Sequence, residues 1–154
     1  MAQNQPIPPK WARILLAPLY WPKLLRGLRW KPAELRVLAA VEDTLSPLDA
    51  ELLRSQLTEV NYIQRLHEGR TEVNLYSFSI LGPRVRRNYQ LSLDGEALLA
   101  EVDVVFASGI LATAEVWCLN GIVFSIEFDR KVNLDSAVSS AKSGTTRVGR
   151  TPEE

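Results

Sequence analysis

Apolar positions along this chain follow a helical spacing first and a period of two afterwards. Pro32 suits the first turn of a helix, and Leu35, Leu38 and Ala39 follow at helical intervals. Ser46-Pro47-Leu48-Asp49 marks a second helix start, with a hydroxyl to cap, a proline at the first helical position and an acid three residues after the cap. Leu48, Leu52, Leu53, Leu57 and Val60 give that helix an apolar face. From Asn61 the alternation predicts strands over 61–67, 72–80, 84–93, 97–106, 110–119 and 122–129. Asp94-Gly95 and Asn120-Gly121 are strong two-residue hairpin signals, while Ser108-Gly109 and Gly82-Pro83 are weaker ones. The pattern therefore predicts an α+β fold, with N-terminal helices (about 11–60) packed on one face of an antiparallel β-meander of five to six strands.

The ends read differently. Residues 1–10 are a polar, proline-rich, extended lead-in to a single domain over 11–131. Within it, 11–31 form a basic aromatic arm, which Pro18 and Pro22 divide into short helical pieces near 9–17 and 22–29. Residues 132–154 are rich in Ser, Thr, Gly and Lys and predict a flexible tail.

Two-residue turns fix strand register and hence the two sheet faces. If Ser108-Gly109 is such a turn, Ala100 falls opposite Trp117, and Asn120-Gly121 sets Trp117 opposite Phe124. One face then gathers Tyr89, Leu91, Leu98, Ala100, Val102, Val104, Phe106, Leu111, Trp117, Leu119, Ile122, Phe124, Ile126 and Phe128, and is the expected core. A turn at Gly82-Pro83 would add Tyr76, Phe78 and Ile80. The opposite face would hold Arg86, Glu101, Asp103, Ala112, Ala114, Val116, Cys118, Ser125, Glu127 and Asp129, with Arg86 opposite Asp103. Glu115 is an anomaly on the core side, within reach of Arg87 two strands away: an ion pair with it, a residue turned to solvent by a bulge, or a pocket acid with a raised pKa.

Charge changes this picture at the N-terminus. Residues 1–31 carry six basic groups and no acid, whereas the remaining residues hold the other twelve basic groups and all eighteen acids. A basic arm on an acidic body suggests self-docking or a negatively charged partner. Trp11, Arg13, Trp21, Lys23, Arg26 and Trp30 would be the membrane-facing residues if the arm met a lipid surface. The longest apolar run, Ile14–Trp21, is too short to span a bilayer.

Chemistry is sparse. The chain lacks the nucleophile-elbow, phosphate-loop and dinucleotide motifs, so no cofactor is expected. One cysteine, Cys118, and one histidine, His67, exclude an intrachain disulfide and a conventional Cys/His zinc site, and the sole cysteine favours a reducing compartment such as the cytoplasm. The only catalytic candidates are Glu115 and Arg87. A compact α+β chain without catalytic motifs and with a charged sheet face is similar in type to immunity proteins and adaptors. The first expectation is accordingly a non-enzymatic protein-binding module, in which Glu101, Asp103, Glu127 and Asp129 meet a basic protein partner. The alternatives are a membrane-peripheral protein held by the arm and, third, a small enzyme with a pocket carboxylate. A nucleic-acid partner ranks below these.

Overall fold

The computed structural model describes residues 29–79, 82–83 and 89–144. Two helices open it. In α1 (Pro32–Glu42) the Glu34 carboxylate reaches back to accept the Lys31 backbone N–H at 2.8 Å. In α2 (Pro47–Glu59) the Ser46 hydroxyl accepts the Asp49 N–H at 3.2 Å, so the start signal in the sequence is the cap in the fold. The strands follow: β1 (Tyr62–Leu66), β2 (Glu72–Tyr76), β3 (Phe78–Ser79), β4 (Gly82–Pro83), β5 (Glu96–Phe106), β6 (Leu111–Leu119), β7 (Ile122–Phe128) and β8 (Val138–Ser143). Six of them form one antiparallel sheet in the order β1-β2-β7-β6-β5-β8, and β3 with β4 make a separate ladder. This is the α+β architecture that the two periods predict, two helices against an antiparallel sheet.

Several expectations fail at the level of connection. Residues 89–95 form no sheet strand, and Asp94-Gly95 is not a hairpin turn between paired strands. Gly95 instead leads into β5 and exchanges hydrogen bonds with Asn120 across the sheet. Gly82 pairs with Ser79 in a ladder and so is strand rather than turn. Residues 132–144, expected in the tail, belong to the fold. Val132 and Leu134 are buried, and Val138–Ser143 adds an edge strand beside β5. Thr71 fastens the start of that segment, since its hydroxyl accepts the Val132 N–H at 3.0 Å and its N–H donates to the Arg130 carbonyl.

The largest correction concerns β6. The turn after β5 has three residues, Ala107, Ser108 and Gly109, not two. Phe106 and Ile110 pair across it, and Gly109 takes a positive φ of 83°. One added residue moves every later side chain to the other face. Ala112, Ala114, Val116 and Cys118 are therefore core, while Leu111, Glu115, Trp117 and Leu119 face away from the helices. Asn120-Gly121 is the expected tight turn, with both residues at positive φ. A register shift beyond it places Trp117 opposite Ser125 rather than Phe124 and returns Ile126 and Phe128 to the core. A second shift in β5 lets Leu99 and Ala100 both be buried.

The core thus lies between the helices and the inner sheet face, with Val37, Val41 and Leu53 against Val102, Val116, Ile126 and Phe128. Two polar devices are sealed into it. Glu34, fully buried, receives a bidentate pair from Arg65, Nε at 2.5 Å and Nη2 at 2.9 Å. Gln56, equally buried, donates to the carbonyls of Tyr89 and Gly121 and accepts the Val123 N–H, tying α2 to the β6–β7 turn. Gly121 has no room for a side chain there, because a Cβ would lie 2.0 Å from the Leu91 carbonyl oxygen.

Candidate functional site

Correcting the register of β6 draws the acidic residues together. Glu101 on β5 stands directly opposite Glu115 on β6, Glu115 opposite Glu127 on β7, and Glu127 opposite Glu72 on β2. Four carboxylates therefore line one row across four adjacent strands, on the face that the helices leave open. Directly opposed side chains have Cβ atoms about 4.5–5.5 Å apart, and like charges at that distance repel.

Hydrogen bonds and one cation offset part of this repulsion. Arg70, in the β1–β2 loop, places Nη2 2.5 Å from Glu127 Oε2. Among the described residues it makes the only ion pair with the row. Trp117 Nε1 donates to Glu115 at 3.2 Å, and Asn74 Nδ2 donates to Glu72 at 2.9 Å. Burial raises the pKa of the Glu127 carboxyl above its ordinary value. Arg70 pulls it back down, while the charges of Glu72 and Glu115 push it further up.

Beside this row lies a second group. Asp103 faces Thr113 on one side and Lys142 of β8 on the other, and accepts the Thr113 hydroxyl at 3.2 Å. Asp129, just past β7, accepts the Thr113 N–H at 3.1 Å and is gripped through both its oxygens by Nε and Nη2 of the Arg130 guanidinium. The Arg130 hydrogen bonds, with the Thr113 N–H, hold the Asp129 carboxyl below its ordinary value. Two surface hollows flank these residues. One of about 280 Å³ lies among Arg70, Thr113, Glu115 and Glu127, and one of about 370 Å³ lies among Asp103, Leu111, Thr113, Asp129 and Arg130.

The same open face carries an aromatic end. Tyr62 and Tyr76 are paired across β1 and β2, and Phe78 completes a cluster with ring centroids 5.5–5.8 Å apart. Tyr76 was expected in the core but lies outward, with its hydroxyl 3.1 Å from Gln64 Oε1. Burial, then the nearness of Tyr62 and Glu72, raises its pKa.

The expected site residues divide accordingly. Glu101, Asp103 and Glu127 share the open face, and Asp129 adjoins it at the end of β7. Glu115, expected beneath the helices, belongs to this face because of the three-residue turn, so the enclosed pocket acid is not formed there. Arg86 and Arg87 lie outside the described residues, as do Trp11, Arg13, Trp21, Lys23 and Arg26. Trp30 is half-buried against the core. Cys118 is fully buried among apolar groups, and burial pushes its thiol up to about 12, away from thiolate chemistry. His67 is exposed and close to the Thr71 hydroxyl. Among the described residues no three His, Cys, Asp or Glu side chains converge to hold a metal ion, and no helix is long and apolar enough to cross a membrane. The sequence reading missed Glu72 and Arg70, because β2 was not registered against β7, its neighbour in the sheet but distant in sequence. No known protein family, curated protein or solved structure matches this chain.

Proposed function

We propose that the protein is a non-enzymatic binding module whose open sheet face receives a basic segment of a protein partner, in the manner of an immunity or adaptor protein. The observation that carries this reading is the row Glu101–Glu115–Glu127–Glu72, in which Arg70 alone among the described residues supplies a countercharge. A row of like charges costs folding free energy, and a cationic partner would relieve it. Complementary charge of this kind acts mainly on association rate and partner choice.

The test is a paired substitution, Glu101→Lys with Glu115→Lys. It exchanges one like-charge pair for another on the exposed face, so unfolding free energy should move by less than about 1 kcal/mol. Proteins captured from the native cell by the wild type and lost by the folded variant are then purified and titrated. At least a tenfold loss of affinity supports the reading. Equal binding to both folded forms overturns it.

A further inference from the structure

Asn120 is the only asparagine of the chain that precedes a glycine. The amide carbon of an asparagine side chain is open to attack by the backbone nitrogen of the next residue. Glycine, with no Cβ, hinders that approach least. Here the pair forms the β6–β7 turn, with Asn120 exposed at φ 49° and Gly121 buried at φ 73°. We infer that Asn120 is a site of spontaneous deamidation that the fold holds shut, so that conversion proceeds only when this turn opens.

The Gly121 nitrogen bonds to Asn120 Cγ and gives its proton to solvent, while the Cγ–Nδ2 bond breaks and ammonia leaves. The product is a cyclic succinimide. Water then adds to one of its two carbonyls, supplies the oxygen of a new carboxylate and returns a proton to the Gly121 nitrogen. Attack at Cγ breaks the newly made bond and yields aspartate. Attack at the main-chain carbon breaks the original peptide bond and yields isoaspartate, whose backbone runs through Cβ and Cγ and is longer by an atom.

Two features keep the native turn from this path. The first is the backbone. Ring closure needs the Gly121 nitrogen and the Asn120 Cβ nearly eclipsed about the Cα–C bond. In the left-handed region ψ is roughly +47°, and for an L-residue the following nitrogen then lies almost anti to Cβ. The second is hydrogen bonding. Asn120 donates its N–H to the Gly95 carbonyl at 2.7 Å, and its Oδ1 accepts the Gly95 N–H at 2.9 Å. The Gly121 carbonyl accepts the Leu91 N–H and Gln56 Nε2, each at 2.9 Å. Rotating Asn120 into attack geometry breaks these contacts first, which makes the reaction a consequence of local opening.

The two products differ in what they leave behind. Aspartate still offers an oxygen to Gly95 and tolerates the left-handed region. Isoaspartate cannot keep the Leu119–Ile122 pair and also hold the Gly121 carbonyl beneath Gln56, so α2 loses part of its tie to the sheet. The ammonia is not recovered, and each conversion is a lasting record of an opening.

Ageing the full chain at mildly alkaline pH, in native buffer and in urea above the unfolding transition, tests this. Peptide mapping follows each asparagine, and electron-transfer fragmentation distinguishes isoaspartate from aspartate. Asn61, Asn74 and Asn133 precede Tyr or Leu and serve as slow internal controls. In urea Asn120 is expected to convert well ahead of them, and in native buffer at least about tenfold more slowly than in urea. Equal rates in the two conditions overturn the protection by the turn. No preference for Asn120 in urea overturns the site itself. The isoaspartate form, separated from aged protein by chromatography, is expected to unfold at lower urea than the Asn120→Asp variant, which carries the same charge on a backbone of normal length. Equal midpoints for the two overturn the link to Gln56.

Discussion

Along β6, Ala112, Ala114, Val116 and Cys118 point at the helices, while Thr113, Glu115 and Trp117, interleaved with them, point the other way. The inner set is the smaller one. Alanines at 100, 112 and 114 are all buried under helices that themselves present Ala33, Val37, Ala40 and Val41. The outer set is larger and chemically richer, with its carboxylate and tryptophan held half-exposed. The difference teaches that bulk and hydrophobicity do not identify the buried side of a strand. Small side chains fit beneath a packed helix, and an open face can hold large ones. Choosing the side with Leu111, Trp117 and Leu119 as core selects the wrong face.

The strongest way to break this contrast is to change what sets it. Deleting Ser108 would shorten the three-residue turn to two. Either β6 turns over and drives Glu115 and Trp117 against the helices, or its pairing with β5 is lost. Burying a carboxylate without a partner belongs to the most destabilising class of changes, more than about 4 kcal/mol. Urea unfolding followed by circular dichroism is expected to show no cooperative transition. A cooperative transition close to that of the wild type would mean that the turn does not govern the faces.

A milder comparison uses one residue from each face. Phe128→Ala empties a fully buried site in the core and is expected to cost about 3–5 kcal/mol. Glu115→Ala removes an outer carboxylate whose neighbours across both strand pairs are also carboxylates, and its effect should stay within about 1 kcal/mol of zero. Similar losses from both, measured by denaturant midpoint at constant slope, would contradict the assignment of faces.

The smallest effect concerns protonation. Because the Glu127 pKa is raised in the folded state, the folded protein binds that proton more tightly than the unfolded chain does. Its contribution to stability is present below the unfolded-state value and is lost as pH rises through the folded-state value. Glu127→Gln removes this dependence. Relative to wild type, the variant should gain stability as pH rises above the ordinary carboxylate range, by less than about 1 kcal/mol given its exposure and the loss of the Arg70 pair. Asp129, with its lowered pKa, contributes in the opposite sense and loses stability as pH falls, so the difference between variant and wild type isolates Glu127. A difference that stays constant with pH would show that the row places no burden on this carboxylate.

Much of the fold was legible in the chain. The Ser46 cap, Pro32, the switch of period at Asn61 and the Asn120-Gly121 turn are local signals, and local hydrogen bonding makes them what they are. What was not legible was set by distant partners. Glu72 meets Glu127 only because β2 lies beside β7, and Val138–Ser143 becomes a strand only because β5 offers it a free edge. The acidic character of Glu101, Asp103 and Glu127 was readable from alternation within single strands. The row was not, because it depends on the length of one turn and on two register shifts. Glu34 and Arg65 were hidden for the same reason, since a buried ion pair across 31 residues leaves no local pattern.

The rims of the sheet complete the picture of how this molecule meets others. Among the described residues β1 and β8 are its two edges. An edge strand presents unpaired amide and carbonyl groups and invites further strands to add, which is how proteins join edge to edge into aggregates. Here one rim is a five-residue strand, and the other, Val138-Ser139-Ser140-Ala141-Lys142-Ser143, is mostly small and polar and carries a lysine. Short length and a charged side chain make both poor templates. Copies of the chain crowded at high concentration should therefore remain separate rather than lengthening their sheets into fibres.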